Sequence, residues 1–352
     1  MLLKSVHINN FRSFKDLKID KLGKVNLLIG ENGCGKTSVL DAIFMLSGGK
    51  NPVLAVAVQN MRQLIINTNE DFKYYFRDFN LDHAIDIEAE TFEKKDMKLC
   101  IKPIMSSARE INFGGMPGVK STQDTQIETR QNNVLAGLKY EFTNCEGKKF
   151  ITDFIFPRAH PLGEVPNPEI LGLYINTSSL LSMSESVSAL IINKAENDII
   201  PVLKEIDKNI VGIKMISNTV YIDLDDKKEL LPINIMGDGI AKIVSILAGI
   251  IRVKNGLLLI DEIENGLHYK SLKLLWKAIF KACYLYNVQI IATTHSDECL
   301  KIFSDIYAEY RQDDQSDIAV IRINKREQEH KAMTYDSKNL AIAIENNIEV
   351  RL

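Results

Sequence analysis

A lysine and a threonine follow a glycine-rich loop near the start of the chain, and side chains in this arrangement bind phosphate groups. The segment GENGCGKTS, at positions 30–38, fits the pattern G-x-x-x-x-G-K-[ST]. Its glycines let backbone N–H groups point at phosphate oxygens, the lysine can contact the terminal phosphates, and the threonine hydroxyl can bind Mg²⁺. The residues predicted to contact the ligand are Gly30, Asn32, Gly33, Cys34, Gly35, Lys36, Thr37 and Ser38.

Two carboxylates follow an apolar run much later in the chain. The segment GLLLIDE, at positions 256–262, predicts a buried strand that ends in Asp261 and Glu262. In parallel sheets, ligands bind at the C-terminal ends of the strands. Asp261 therefore suits a Mg²⁺ ligand beside Thr37, and Glu262 suits the base that orients and deprotonates an attacking water. The alternative is that both acids only cap the next helix.

Two further segments could complete the same site. A third apolar run ends at His295, whose imidazole could hydrogen-bond the γ-phosphate at the same sheet edge. Alone, this histidine would more often be structural. Gly237, Asp238 and Gly239 place unhindered N–H groups at the start of an apolar helix, which favours an anion. The alternative there is an ordinary helix start with Asp238 as its cap.

The elements that position these residues predict an α/β, P-loop NTPase fold with a mainly parallel core sheet. A strand at 25–29 precedes the loop and a helix follows it, while two strand-like segments before the loop predict an antiparallel edge on the core sheet. We expect one head over 1–352, with its nucleotide-binding core at 1–50 and 230–352. Residues 51–230 are predicted to form an inserted antiparallel β subdomain and a helical part.

The details of the insertion follow from local patterns. Residues 53–66 read as a helix, four alternating segments between 85 and 156 read as strands, and 180–210 read as helical, with Pro201 breaking or starting a helix. Two segments around Asn218 read as a hairpin. The polar segment 106–133 is predicted to be a long exposed loop, either mobile or a surface for a partner.

Composition narrows the possible classes of protein. The 352 residues are 45% hydrophobic and 25% charged, which is ordinary for a soluble globular protein. The net charge of −3 weakens nucleic-acid binding without excluding it, because a local basic groove remains open. Five scattered cysteines without a C-x-x-C pair argue against a zinc site or a disulfide framework. No apolar run reaches the length of a membrane span, so we expect no membrane association and a cytoplasmic location.

Taken together, the motifs resemble the ABC-type ATPase heads of the structural-maintenance-of-chromosomes (SMC) and recombination-repair class. Their order is the phosphate loop, GDG at 237–239, LLLIDE at 257–262, NGLH at 265–268 and TTHS at 293–296. A narrower resemblance is to the bacterial overcoming-lysogenization-defect group and the abortive-infection AAA-type family. It is carried by NFRSF at 10–14, the phosphate loop, DEIENGLH at 261–268 and NIEVR at 347–351.

The resemblance implies a mechanism in which two heads enclose two ATP molecules, with Mg²⁺, as a homodimer or a higher assembly. Gly237 to Gly239 would then contact the γ-phosphate bound by the partner copy, and residues 265–268 would link the two sites. Arg12, which from spacing alone is a solvated turn arginine, becomes a nucleotide contact. ATP binding would drive engagement and hydrolysis would drive release.

The sequence also departs from the pattern of the class. Met236 stands where the usual signature motif has a serine that donates to the γ-phosphate, so we expect slow turnover. The glutamine of the usual Q-loop has no clear counterpart, since Gln59 and Gln63 lie in a helix-like stretch. Members of the overcoming-lysogenization-defect group continue into a toprim nuclease domain, which this sequence does not reach.

Two functions follow from these observations. The leading hypothesis is an ATP-binding and ATP-hydrolysing switch that controls a companion effector in antiphage defence. The alternative is a DNA-binding repair or recombination ATPase, which requires a basic channel across the dimer. The departure from the usual signature motif argues against the nucleotide-binding subunit of a transporter. A small-molecule kinase fits poorly because the acidic pair and His295 favour water as the acceptor.

Overall fold

The computed structural model describes residues 1–107, 133–155, 167–176, 180–310, 318–327 and 329–336. Most of the polar segment at 106–133 and the NIEVR motif at 347–351 lie outside the described residues. The strands are β1 Leu3–Phe11, β2 Phe14–Ile19, β3 Val25–Ile29, β4 Ile85–Thr91, β5 Asp96–Ser107, β6 Asn133–Thr143, β7 Lys149–Phe154, β8 Gly172–Ile175, β9 Ile210–Ile216, β10 Thr219–Leu224, β11 Leu231–Pro232, β12 Leu257–Ile260, β13 Gln289–Thr293, β14 Ile318–Arg326 and β15 Glu329–Asp336. The helices are α1 Lys36–Gly48, α2 Val53–Met61, α3 Leu180–Ile192, α4 Glu196–Lys204, α5 Asp238–Arg252, α6 Tyr269–Leu285 and α7 Asp297–Tyr310.

The core sheet has six strands in the order β15-β14-β3-β13-β12-β8. Five of them are parallel, and only β15 runs antiparallel to its neighbour. Every residue of β3, β12 and β13 is buried, which explains why these strands read as continuous apolar runs rather than alternating ones. The sheet therefore brings the ends of β3, β12 and β13 to one edge.

A second, antiparallel sheet has the order β2-β1-β4-β5-β6-β7. The expectation that the first two strands form an antiparallel edge of the core sheet is wrong. Instead, β1 pairs with β4, with Val6 opposite Ala89, and β15 supplies the antiparallel edge of the core. The alternating pattern of β1 identifies its buried face, but it does not show which strand will pair with it. Strands β1 and β2 thus lie in the antiparallel sheet, and β8, from the predicted insertion, lies in the core sheet.

Helix α1 lies between the two sheets and touches strands of both, including β1, β4, β8 and β13. Of its residues only Thr37 is not buried. Alternate residues of β3 face opposite layers. Leu28 packs into the core that contains α1, whereas Leu27 packs into the core formed with α5, α6 and α7. The helix that follows the phosphate loop is therefore fixed on all sides.

The remaining elements agree with the predicted pattern except at two points. Helix α2 ends at Met61 rather than at residue 66. Pro201 lies inside α4 and neither breaks nor starts it. Pro201 and Asn197 are both exposed, so water can satisfy the carbonyl that the proline leaves without an N–H partner. The predicted hairpin is β9–β10, and both of its turn residues have positive φ. Within the described ranges, no helix is long and apolar enough to span a bilayer.

Candidate nucleotide-binding site

The phosphate loop joins the end of β3 to the start of α1. Gly35 has φ +98°, and a Cβ there would lie 2.5 Å from Cζ of Phe14, so the loop requires glycine at this point. Lys36 is only 4% exposed. Its Nζ donates to the carbonyl oxygens of Gly30, at 2.8 Å, and Glu31, at 3.0 Å. The ammonium group is thus held across the loop, where it can reach an anion bound by the loop's N–H groups.

Thr37 and Asp261 meet at the C-terminal edge of the core sheet. The Thr37 hydroxyl donates to Oδ1 of Asp261 at 3.1 Å, although the two residues are 224 positions apart. Asp261 is fixed from two other directions. Its backbone N–H donates to Ile175 O of β8 at 2.8 Å, and its Oδ1 accepts from the Thr293 hydroxyl at 2.7 Å. The predicted pair of metal ligands is therefore assembled.

The chemistry of this pair fits Mg²⁺, which prefers oxygen ligands and keeps several waters. Thr37 offers a hydroxyl and Asp261 a carboxylate, and both oxygens lie beside the phosphate loop. Among the described residues there is no group of three or more His, Cys, Asp or Glu side chains that could hold a metal on its own. An ion here would need phosphate oxygens and water to complete its coordination.

Glu262 follows Asp261 in a left-handed backbone conformation, with φ +50°. This conformation is uncommon for a residue other than glycine. The Glu262 N–H donates to the Thr293 hydroxyl at 2.8 Å, and the Asn265 amide donates to Oε2 of Glu262. The carboxylate is thus directed by its own backbone and by a neighbouring amide.

His295 lies next to this carboxylate, at the sheet edge where it was predicted. Its Nε2 is 3.4 Å from Oε1 of Glu262, and its backbone N–H donates to Oε1 of Glu264 at 2.7 Å. Its Nδ1 is buried without a hydrogen-bond partner among the described residues. Glu262 and His295 thus form one cluster beside Asp261.

The GDG segment begins α5. Gly237 has φ +91°, and a Cβ at this position would meet nothing within 4 Å, so the segment is open to solvent. Asp238 is the first helical residue and makes no side-chain capping hydrogen bond, so the alternative in which it caps the helix is wrong. A Cβ on Gly239 would lie 3.3 Å from Gly266 O. The start of α5 therefore packs on the turn that follows β12.

Arg12 is not the solvated turn arginine that its spacing alone suggested. It has φ +52°, its side chain is 13% exposed, and its guanidinium pairs with the buried carboxylate of Asp41 on α1. Arg62 binds the same Oδ2 of Asp41 at 2.6 Å. Arg12 also lies over the Tyr75 ring, 5.5 Å from its centroid. It borders a cavity of about 400 Å³ that Arg62, Gln59 and Phe79 also line.

The residues that sequence reasoning missed are mainly those that orient others. Thr293 contacts both acids, and the TTHS motif offered a signal for it. Gln59 is buried in α2, and Gln63 is exposed beyond that helix. The strand next to β12 is β8, and the residue that follows it is Asn176, whose side-chain amide donates to Met61 O at 2.8 Å. Its position could be recognised only once β8 was known to lie in the core sheet.

Solved structures with a similar fold identify the class. An SMC head bound to the C-winged helix domain of ScpA has a TM-score of 0.53 and 11% sequence identity, over 97% of this chain and 100% of that chain. An SMC head domain with an extended coiled coil, derived from Pyrococcus furiosus and bound to the C-terminal domain of ScpA, has a TM-score of 0.52 and 11% identity, over 98% and 99% of the two chains. The predicted α/β, P-loop NTPase fold class is thus confirmed, and the chain has the fold of an SMC head.

Sequence relatives define the family. The family described as AAA domain matches residues 5–345, and the chain belongs to it. An ATP/GTP phosphatase of Helicobacter pylori is 25% identical over 336 residues, which are 88% of this chain and 89% of that protein. The DNA replication and repair protein RecF of Clostridioides difficile is 53% identical over only 51 residues, 14% of each chain.

Proposed function

We propose that the protein binds ATP with Mg²⁺ and hydrolyses it at the edge of the core sheet. The loop N–H groups and Lys36 bind the phosphates, while Thr37 and Asp261 hold the metal ion, which would neutralise charge on the phosphates. Glu262 orients the attacking water and accepts its proton, and His295 donates a hydrogen bond to the γ-phosphate. The observation that carries this proposal is that the Thr37–Asp261 pair and the Glu262–His295 pair are joined by the Thr293 hydroxyl, which contacts both acids.

Two copies of the chain enclose the nucleotides in this proposal. Each copy supplies the phosphate loop and acidic pair of one site, and the open GDG segment of its partner completes that site. The exposure around α5 supports this assignment, because a Cβ on Gly237 would meet nothing within 4 Å and Ile235 is 67% exposed. The backbone N–H groups at the start of α5 can bind a γ-phosphate although Met236 cannot donate from its side chain. Slow turnover follows from that missing donor.

The solution mass of Glu262→Gln, measured with and without Mg-ATP, tests the dimer. The variant should bind ATP but not hydrolyse it, so its mass should shift from monomer to dimer when Mg-ATP is added. Glu229→Gln, at an exposed position between β10 and β11, is the control and should hydrolyse at the wild-type rate. A mass that ignores ATP would contradict the shared site, and normal turnover of Glu262→Gln would contradict its role as the base.

We also propose that the ATP-driven change controls a companion effector in antiphage defence, a role suggested by the resemblance to the overcoming-lysogenization-defect and abortive-infection groups. This part rests on the resemblance of the motifs. A plaque assay with the chain and its neighbouring reading frame tests it. Protection should require both proteins and should disappear with Lys36→Ala. Protection by this chain alone would contradict a separate effector.

The second candidate is a DNA-binding repair or recombination ATPase, which the local similarity to RecF favours. DNA binding to a basic surface should weaken steeply as the salt concentration rises. Binding of duplex DNA to Glu262→Gln with Mg-ATP, measured at several salt concentrations, separates the two candidates. Binding that appears only with ATP and weakens with salt would favour the repair function over effector control.

A further inference from the structure

Lys242 connects α5 with the turn that carries Glu262. It lies on α5 one turn after Asp238, and its Nζ donates to two carbonyl oxygens, Glu262 O at 2.6 Å and Asn265 O at 3.0 Å. Asn265 in turn donates from its side-chain amide to the Glu262 carboxylate. A single ammonium group therefore fixes both the backbone of Glu262 and the residue that orients its side chain.

Backbone packing joins the same two elements at a second place. A Cβ on Gly239 would lie 3.3 Å from Gly266 O, and a Cβ on Gly266 would lie 3.3 Å from Cβ of Asp238. The first turn of α5 and the turn at 262–267 are therefore in direct contact, both through main chain and through the Lys242 side chain. A displacement of one element requires the other to follow or the contacts to break.

The turn at 262–267 needs such support. Glu262 has φ +50° and Gly266 has φ +75°, so two of its residues adopt a conformation that L side chains rarely take. Thr293 holds this turn from the β13 side through the N–H of Glu262, and Lys242 holds it from the α5 side through the carbonyl of the same residue. Without Lys242, two carbonyl groups would lose a charged donor. The backbone from which the Glu262 side chain extends would then no longer be held from the α5 side.

We propose that Lys242 is a positioning residue that sets the orientation of Glu262 according to the position of the α5 N-terminus. The inference rests on the proposed function, in which that N-terminus binds the nucleotide of the partner copy. Each Glu262 acts on the nucleotide of its own protomer, while the GDG segment of the same protomer contacts the other nucleotide. Lys242 thus connects the two nucleotides of the dimer within one chain.

The first experiment measures ATP affinity and turnover separately. Lys242→Met keeps the length of the side chain but removes the donor, so kcat should fall between about tenfold and about a hundredfold while the Kd for Mg-ATP stays within about twofold. Lys242→Arg keeps charge and donors and should recover most of kcat. Lys254→Met, at an exposed position beyond α5, is the control and should behave as the wild type. If Lys242→Met fails to fold, Lys242→Gln provides the same comparison.

A wild-type kcat in Lys242→Met or Lys242→Gln would overturn the proposal. A weaker affinity for Mg-ATP together with a comparable fall in kcat would also overturn it, since this would indicate a general structural defect rather than misplacement of Glu262. Recovery by arginine is the result that a purely structural role would not produce.

The second experiment assigns the effect to one protomer by using mixed dimers with two affinity tags. When Lys242→Met and Glu262→Gln are on the same chain and the partner is wild type, the remaining Glu262 keeps its own Lys242. This dimer should hydrolyse ATP as fast as Glu262→Gln mixed with wild type. When the two substitutions are on different chains, the rate should fall to that of the slow Lys242→Met site. The opposite pattern would show that Lys242 acts across the interface, which contradicts the proposal. If no mixed dimer forms with ATP, the dimer proposal fails, but the kcat result of the single variants still decides whether Lys242 positions Glu262.

Discussion

The hydroxyl group of Thr293 donates to Oδ1 of Asp261 at 2.7 Å and accepts from the N–H of Glu262 at 2.8 Å. Thr293 ends β13, while both acids follow β12, the neighbouring parallel strand. One hydroxyl group therefore fixes the predicted metal ligand and the predicted base relative to each other. The backbone adopts a left-handed conformation at Glu262, and Thr293 holds that turn through the Glu262 N–H.

Thr293→Val should separate these effects from packing, because valine has nearly the same shape but lacks the hydroxyl group. Thr293 is fully buried, so the Glu262 N–H would lose its partner, at a cost of about 1–3 kcal/mol in the free energy of unfolding. Turnover should fall by about tenfold or more, and the Mg²⁺ concentration needed for half-maximal rate should rise. Denaturant unfolding and a Mg²⁺ titration of the hydrolysis rate measure these effects. Thr293→Ser should preserve both properties. A valine variant with an unchanged Mg²⁺ requirement would contradict this role.

Lys36→Ala should remove tight ATP binding. The buried ammonium group lies across the phosphate loop and is the lysine expected to contact the terminal phosphates. Loss of one charged hydrogen-bonding group corresponds to about 1.5–3 kcal/mol, or roughly a tenfold to hundredfold weaker affinity. Calorimetric titration with Mg-ATP measures it, with Lys15→Ala as an exposed control. Unchanged affinity would overturn the assignment of the phosphate loop.

Asp41→Ala should destabilise the protein strongly. Asp41 is buried on α1 and binds both Arg12 and Arg62, so its removal would leave two partly buried guanidinium groups without their carboxylate. Breaking a buried ion pair from one side costs about 3–5 kcal/mol. Because both arginines retain some access to water, we expect about 3 kcal/mol in the free energy of unfolding, measured with urea. Asp226→Ala, at an exposed position, should change it by less than about 0.5 kcal/mol.

The contribution of Lys242 to stability should depend on pH. Burial lowers the pKa of Lys242 to about 8, although the carboxylates of Glu264 and Glu262 oppose this shift. Above pH 8 the folded protein has released this proton while the unfolded chain still binds it, up to a pKa of about 10.4. The contribution of Lys242 therefore increases the free energy of unfolding as the pH rises. The difference between wild type and Lys242→Met should move by about 1–2 kcal/mol in favour of the wild type between pH 8 and about pH 9.5. A difference that stays constant across this range would contradict the lowered pKa.

Local sequence patterns predicted the site residues that directly follow a single strand. A strand, a glycine-rich loop and a helix are contiguous in sequence, and Asp261 and His295 each follow an apolar run that is long enough to be a strand. The parallel arrangement then places both ends at one edge. For this reason the meeting of Thr37, Asp261 and His295 could be expected from the sequence.

Contacts between distant segments could not be predicted in this way. The Arg12–Asp41 pair depends on β1 lying against α1, and the Lys242 contacts depend on α5 packing against the turn that follows β12. A lone arginine or lysine has no local pattern that reveals its partner. The pairing of β1 with β4 is similarly invisible, because a strand's alternation identifies its buried face but not its neighbour. The missed features are therefore those fixed by tertiary packing.

The neighbours of β3 have a consequence for how the chain folds during synthesis. In the core sheet β3 lies between β13 and β14, which begin at Gln289 and Ile318. The strand that leads into the phosphate loop thus emerges from the ribosome well before either of its neighbours and must wait for them before it can pair. The antiparallel sheet ends with β7 at Phe154 and can form well before that moment. A nascent chain should therefore be unable to bind ATP until the two neighbours of β3 are made, so that nucleotide binding reports a completed core sheet.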